Sequence, residues 1–178
     1  MKDLKQFNIR YVGLKNESHL FEYQIDNTFF EAYNFDEFFE SNINVSLTLE
    51  KKSTLMNLFF TASGSINIAC DVSGEAFDQE MKAALSLIVN FGEEFNDENE
   101  EILILPYTEF QLNIAKYIYE MIVLAIPTRR IHPQVVDGTM ESEALKKLET
   151  LRVKEKNTTD NVDPRWDKLK NLITEKKT

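Results

Sequence analysis

Residues 56–70 read Met-Asn-Leu-Phe-Phe-Thr-Ala-Ser-Gly-Ser-Ile-Asn-Ile-Ala-Cys, and the fold turns on how this stretch is read. Its even positions, Met56, Leu58, Phe60, Ala62, Gly64, Ile66, Ile68 and Cys70, are apolar or small, whereas Asn57, Thr61, Ser63, Ser65 and Asn67 fall on odd ones. A period of two sends alternate side chains to opposite faces of a strand, so the even face is the buried one. After the turn signal Asp71-Val72-Ser73-Gly74-Glu75, the alternation resumes with Phe77, Met81, Ala83, Leu85, Leu87, Val89 and Phe91 turned inward. The two long strands are expected to pair antiparallel.

Upstream, Ile43, Val45, Leu47 and Leu49 share one face of another strand. Two shorter alternating runs precede it, Phe7, Ile9, Tyr11 and then Phe21, Tyr23, Ile25, separated by a Gly13–Ser18 loop of hairpin length. Thr28 is a candidate cap for a short helical turn carrying Phe29, Phe30 and Tyr33. Downstream, Ile102 to Leu105 form a short strand closed by Pro106. Thr108-Glu109-Phe110-Gln111 then fits a capping box, and Phe110, Ile114, Tyr117, Ile118, Met121, Ile122 and Ala125 recur at helical spacing up to Pro127. Weaker helices are expected at about 141–153, through Leu145, Leu148 and Leu151, and from Asp163-Pro164 onward. Residues 154–162 between them are polar enough for a flexible linker.

These elements predict an α+β protein: an antiparallel β-sheet of five or six strands over residues 5–106, covered by one main helix at about 109–126. A β domain with that helix would span residues 1–140, followed by a helical C-terminal extension over 141–178. At 178 residues and 43% hydrophobic composition, the chain is long enough for one packed core and too short for two full ones. Thirty acidic against 20 basic side chains give a net charge of −10, which excludes a generic nucleic-acid coat. Charge is divided unevenly, with 10 basic and 22 acidic residues in 1–140 but 10 basic and 8 acidic in 141–178. Phosphate affinity is therefore expected late in the chain. A single cysteine forbids an internal disulfide, and the opening residues lack the apolar run of a secretory signal, so a cytoplasmic location is expected. The apolar stretch ending Met121–Ile126 is too short for a membrane span.

Candidate chemistry is sparse. The carboxylates of residues 93–101 lack the glycine of a calcium-binding EF-hand loop, and a solvated hairpin loop accounts for them. Phe29, Phe30, Tyr33, Phe35, Phe38 and Phe39 form an aromatic cluster interleaved with Glu31, Asp36, Glu37 and Glu40, which favours core or partner-facing packing over base stacking. Parity puts Cys70 on the inward face as a structural, inert thiol, and neither His19 nor His132 has a catalytic context. No catalytic set and no small-molecule or cofactor site is visible. Arg129 and Arg130 either answer the negative end of the preceding helix or reach outward to phosphate. Arg165, Trp166, Lys168 and Lys170 lie on the last expected helix, whose Trp166, Leu169 and Ile173 either dock on a partner or fold back on the β domain.

Three segments taken in order carry a resemblance. The run Cys70–Phe77, the helix Ile118–Pro127 leading into Arg129-Arg130-Ile131-His132-Pro133, and Asp163-Pro164-Arg165-Trp166 together resemble the YceD family, the large ribosomal RNA subunit accumulation proteins, in a variant like those of Bacteroidetes-type bacteria. The resemblance runs best from about 43 to 173. It implies a noncatalytic, cytoplasmic ribosome-biogenesis factor that supports accumulation or processing of the large-subunit ribosomal RNA. Its implied partner is that RNA or a pre-ribosomal particle, with Arg129, Arg130, Arg165, Trp166, Lys168 and Lys170 as candidate contacts. The alternative is an acidic adaptor that recruits a basic ribosomal protein or processing enzyme. Members of the family often carry Cys-x-x-Cys at this turn and further cysteines after the helix-ending proline, an arrangement suited to zinc. Here the corresponding positions are Cys70, Ser73 and His132, so no structural metal is expected.

Overall fold

The computed structural model describes residues 4–99 and 101–151, and the chain divides into two units, Met1–Met140 and Glu141–Thr178. The first begins with a 3-10 turn, Leu4–Phe7, and the short β1, Asn8–Ile9. It continues through β2 (Ser18–Ile25), α1 (Asn27–Glu31), β3 (Glu40–Lys51), β4 (Leu55–Ala69), β5 (Ala76–Gly92), β6 (Ile102–Pro106), β7 (Leu112–Asn113), α2 (Ala115–Leu124) and α3 (Pro133–Val136). A five-stranded sheet runs in the order β2-β3-β4-β5-β6, and β1 pairs separately with β7.

The long alternation folds as its parity dictates. β4 and β5 pair antiparallel without a break from Leu55↔Asn90 to Ala69↔Ala76. Met56, Leu58, Phe60, Ala62, Ile66, Ile68 and Cys70 are buried on the inner face, with Phe77, Met81, Leu87 and Val89 beside them. The outer face carries polar rows such as Asn44–Ser63–Lys82. Gly64 meets the requirement of close approach: a Cβ there would lie 2.2 Å from the backbone oxygen of Asn42.

The sheet is not wholly antiparallel. β6 lies parallel to β5, pairing Ile88↔Ile102 through Gly92↔Pro106. A hairpin was the simple expectation, but the returning chain backtracks only along the last few residues of β5, about 13 Å at strand rise, which a short loop spans. That loop passes outside β6, where Asn96 and Ile104 exchange backbone hydrogen bonds at 3.1 and 2.8 Å.

The first two alternating runs also do not form a hairpin. β2 pairs with β3 from Ser18↔Glu50 to Ile25↔Ile43, while β1 pairs with β7. The expected capping box at Thr108 is displaced by this second pairing. Leu112–Asn113 remain extended, Ile114 N–H donates to Phe7 C=O at 3.0 Å, and the Asn113 side chain accepts from Ala115 N–H at 3.0 Å. α2 therefore starts at Ala115 and Phe110 is exposed. Long-range backbone pairing outweighs a local cap contributing about 1 kcal/mol. Asp26, not Thr28, caps α1, accepting from Thr28 N–H at 2.9 Å.

Among the described residues α2 does not cover the sheet alone. The inner face is closed by Ala115, Ile118, Met121 and Ile122 of α2, by Phe29 and Phe30 of α1, and by Phe7, Ile9 and Tyr11. The aromatic cluster serves largely as core: Tyr33 stacks on Tyr119 at 4.2 Å, Phe30 meets Phe38 edge-on at 4.9 Å, and Phe39 alone of the six is exposed. In the second unit, α4 spans Glu143–Leu151, and the Ser142 hydroxyl accepts from Leu145 N–H at 3.4 Å as its cap. The expected linker at 154–162 and the helix carrying Arg165, Trp166, Lys168 and Lys170 lie outside the described residues. Among the described residues no helix is long and apolar enough to cross a membrane.

Candidate functional site

The ladder of β4 and β5 ends in the turn Asp71–Glu75, and the segment after α2 returns to it. Gly74, at φ +75°, takes the left-handed backbone that a side chain would resist. The turn closes through Gly74 N–H to Cys70 C=O at 2.9 Å and Cys70 N–H to Glu75 C=O at 2.8 Å. Its outer side is then clasped by the 130–132 segment. Asp71 N–H donates to Arg130 C=O at 2.8 Å, and Arg130 N–H donates back to the Asp71 carboxylate at 2.7 Å. Two residues on, His132 N–H donates to Cys70 Sγ at 3.3 Å.

The His132 ring and the Arg130 guanidinium are both engaged. His132 Nδ1 accepts from Gln134 N–H at 3.1 Å and so caps α3, while its ring packs against Phe77 at 5.3 Å. The Arg130 guanidinium donates to Glu37 at 2.7 Å, tying the clasp to the segment before β3. Arg129 is exposed. Cys70 is 3% exposed. Burial pushes its thiol pKa up, but hydrogen bonds from His132 N–H, the Ser73 hydroxyl and the Ser73 and Val72 N–H groups outweigh that and lower it to about 7.

The clasp thus brings His132 to Cys70 and Ser73, across sixty-two residues from the cysteine. What sequence reasoning missed are the groups that hold them, the Asp71 and Glu37 carboxylates and the backbone of Arg130, because their partners are distant in sequence and main-chain donors leave no residue-type signature. The donor set does not fit a tetrahedral zinc. One thiol is surrounded by N–H donors, Ser73 is a poor ligand, and the imidazole Nδ1 is committed to a helix cap. Among the described residues no three His, Cys, Asp or Glu side chains cluster suitably. His132 meets the sulfur through its backbone N–H.

The comparisons bear directly on this turn and clasp. A family model described as large ribosomal RNA subunit accumulation protein YceD matches residues 58–173, from early β4 through the turn, α2 and the clasp. The chain belongs to the YceD family. Its family name associates it with accumulation of the large-subunit ribosomal RNA and hence with ribosome biogenesis. Neither the curated proteins nor the solved structures contain a match. In this YceD protein, the Asp71–Glu75 turn is held by main-chain hydrogen bonds, the Asp71 carboxylate and the Cys70 thiol.

Proposed function

We propose that this protein is a noncatalytic, cytoplasmic ribosome-biogenesis factor that supports accumulation or processing of the large-subunit ribosomal RNA. The observation that carries the reading is the family match over residues 58–173. The clasp supports it from chemistry. Its polar groups are spent on one another, and a buried thiol without an aligned base suits a scaffold better than a reaction centre. Residues 1–140 and 141–178 act as the body and the appendage, and Arg129, Arg165, Trp166, Lys168 and Lys170 remain candidate contacts to RNA.

A second reading, an acidic adaptor that holds a basic ribosomal protein or processing enzyme, is favoured by the Arg130–Glu37 ion pair. That pair removes one of the two cations expected to face phosphate from the described body. Sedimentation of tagged full-length protein with pre-ribosomal particles, with and without nuclease, tests both. Comigration with large-subunit precursors supports the first reading, and retention on a basic protein after nuclease supports the adaptor. Absence from every ribosomal fraction refutes both.

A further inference from the structure

The inner half of the molecule is closed unevenly along β5. Because β6 pairs only with Ile88–Gly92, the outer edge of β5 from Ala76 to Leu87 has no neighbouring strand among the described residues. The direction of its backbone groups follows from two hydrogen bonds. Ile88 N–H donates outward to Glu101 C=O, whereas Glu75 C=O accepts from Cys70 on the β4 side. Successive residues alternate in a ladder, so Asp78, Glu80, Lys82, Ala84 and Ser86 point N–H and C=O to the open edge. Among the described residues, one of these groups has a partner: Glu80 C=O accepts from the neighbouring Gln79 amide at 2.8 Å.

An apolar cavity adjoins this edge. It measures about 350 Å³ and is floored by Leu85, Leu87, Leu103, Met121 and Leu124, the last 84% exposed at the end of α2. Its rim is acidic. Asp97 and Glu120 face it, and the only cation in its lining among the described residues, Lys116, is held by Asp97 at 2.7 Å with Glu120 at 4.0 Å. Natural folds cover or blunt long strand edges, and an extended segment added to such an edge satisfies the unpaired groups. Carboxylates around an apolar floor repel a phosphate backbone and attract a cationic peptide.

We propose that this notch binds an extended, lysine- or arginine-rich segment of a protein partner, which adds as a strand to β5 between Asp78 and Ser86 and seats an apolar side chain over Leu124. The proposal rests on the adaptor reading and supplies the surface it uses. The site recognises backbone edge, positive charge and one apolar anchor, so it selects a class of segment and not a single sequence.

The test uses full-length protein and a fluorescein-labelled synthetic peptide of alternating lysine and valine, read by anisotropy, with amide hydrogen exchange on the same complex. Saturable binding is expected, weakened severalfold by raising salt, with slowed exchange at Asp78–Ser86. Leu124→Arg, at an exposed position that leaves the core intact, should weaken binding about tenfold or more. Leu20→Arg, on the outer face of the far edge strand β2, should change it less than twofold. Equal loss in both variants, or no protection along β5, overturns the proposal. If the notch binds but depletion of the protein leaves ribosomal RNA unaltered, the ribosomal reading fails and the notch stands. If RNA falls on depletion and Leu124→Arg restores it fully, the notch fails and the ribosomal reading stands.

Discussion

Replacing Gly64 with alanine probes the register on which the whole body depends. The added Cβ would lie 2.2 Å from Asn42 O, 2.7 Å from Ile43 Cα and 3.0 Å from Asn42 C, all backbone atoms of β3. Ordinary contact begins near 3.4 Å, so β3 must retreat by about 1 Å from a central strand it pairs with over its full length. No flexible side chain can absorb that movement. Overpacking of this kind costs about 1–3 kcal/mol, and a backbone clash in a central ladder belongs at the upper end, about 3 kcal/mol. For a chain of this size that lowers Tm by roughly 6–12 °C. Gly13 provides the internal comparison, because a Cβ there meets nothing within 4 Å. Gly13→Ala should be neutral or stabilise by a few tenths of a kcal/mol. Paired urea titrations followed by circular dichroism measure both. Equal stability of the two variants would refute the β3–β4 register and with it the placement of Cys70 and the clasp.

Other consequences of the clasp are accessible to simple measurements. Asp71→Ala removes the acceptor of Arg130 N–H and should cost about 1–2 kcal/mol, with faster hydrogen exchange at Arg130 and His132; unchanged exchange there would contradict the clasp. The Cys70 thiol should titrate at about 7, seen as thiolate absorbance, because bonds to the sulfur favour its charged form. A folded pKa below the unfolded one adds stability that is complete above the unfolded value and lost as pH falls through about 7; Cys70→Ser should abolish that slope, and an identical slope in the variant argues against it. Elemental analysis of purified protein should find no stoichiometric zinc, and one equivalent bound per chain would contradict the fit of the donors. Glu37→Gln should release the Arg130 guanidinium at a cost below about 1 kcal/mol, since the pair is partly exposed, and any gain in RNA affinity would show the ion pair to be inhibitory.

The legible part of this fold is the part whose signal is local. Period two from Met56 to Phe91 fixes two strands, their inner faces and the turn at Gly74, because burial of one face demands strict alternation. Ile43, Val45, Leu47 and Leu49 are read in the same way. What escapes is partner choice. Nothing within Ile102–Pro106 distinguishes a parallel neighbour from a hairpin arm, and nothing at Thr108 reveals that residues 112 and 113 are claimed by Asn8 and Ile9. The candidate site divides along the same line. Cys70, Ser73 and His132 are visible through a motif, while the Asp71–Arg130 exchange spans fifty-nine residues and is made of main-chain groups on one side. The open edge of β5 follows from the shortness of β6 in pairing, which only the assembled sheet reveals.

The central claim is a role in accumulation of large-subunit ribosomal RNA. Its most direct test is depletion of the protein in its own cell, followed by the ratio of mature large- to small-subunit ribosomal RNA. The ratio should fall, with unprocessed large-subunit precursor rising, and return on re-expression of the intact chain. An unchanged ratio and an unchanged precursor level after full depletion would contradict it.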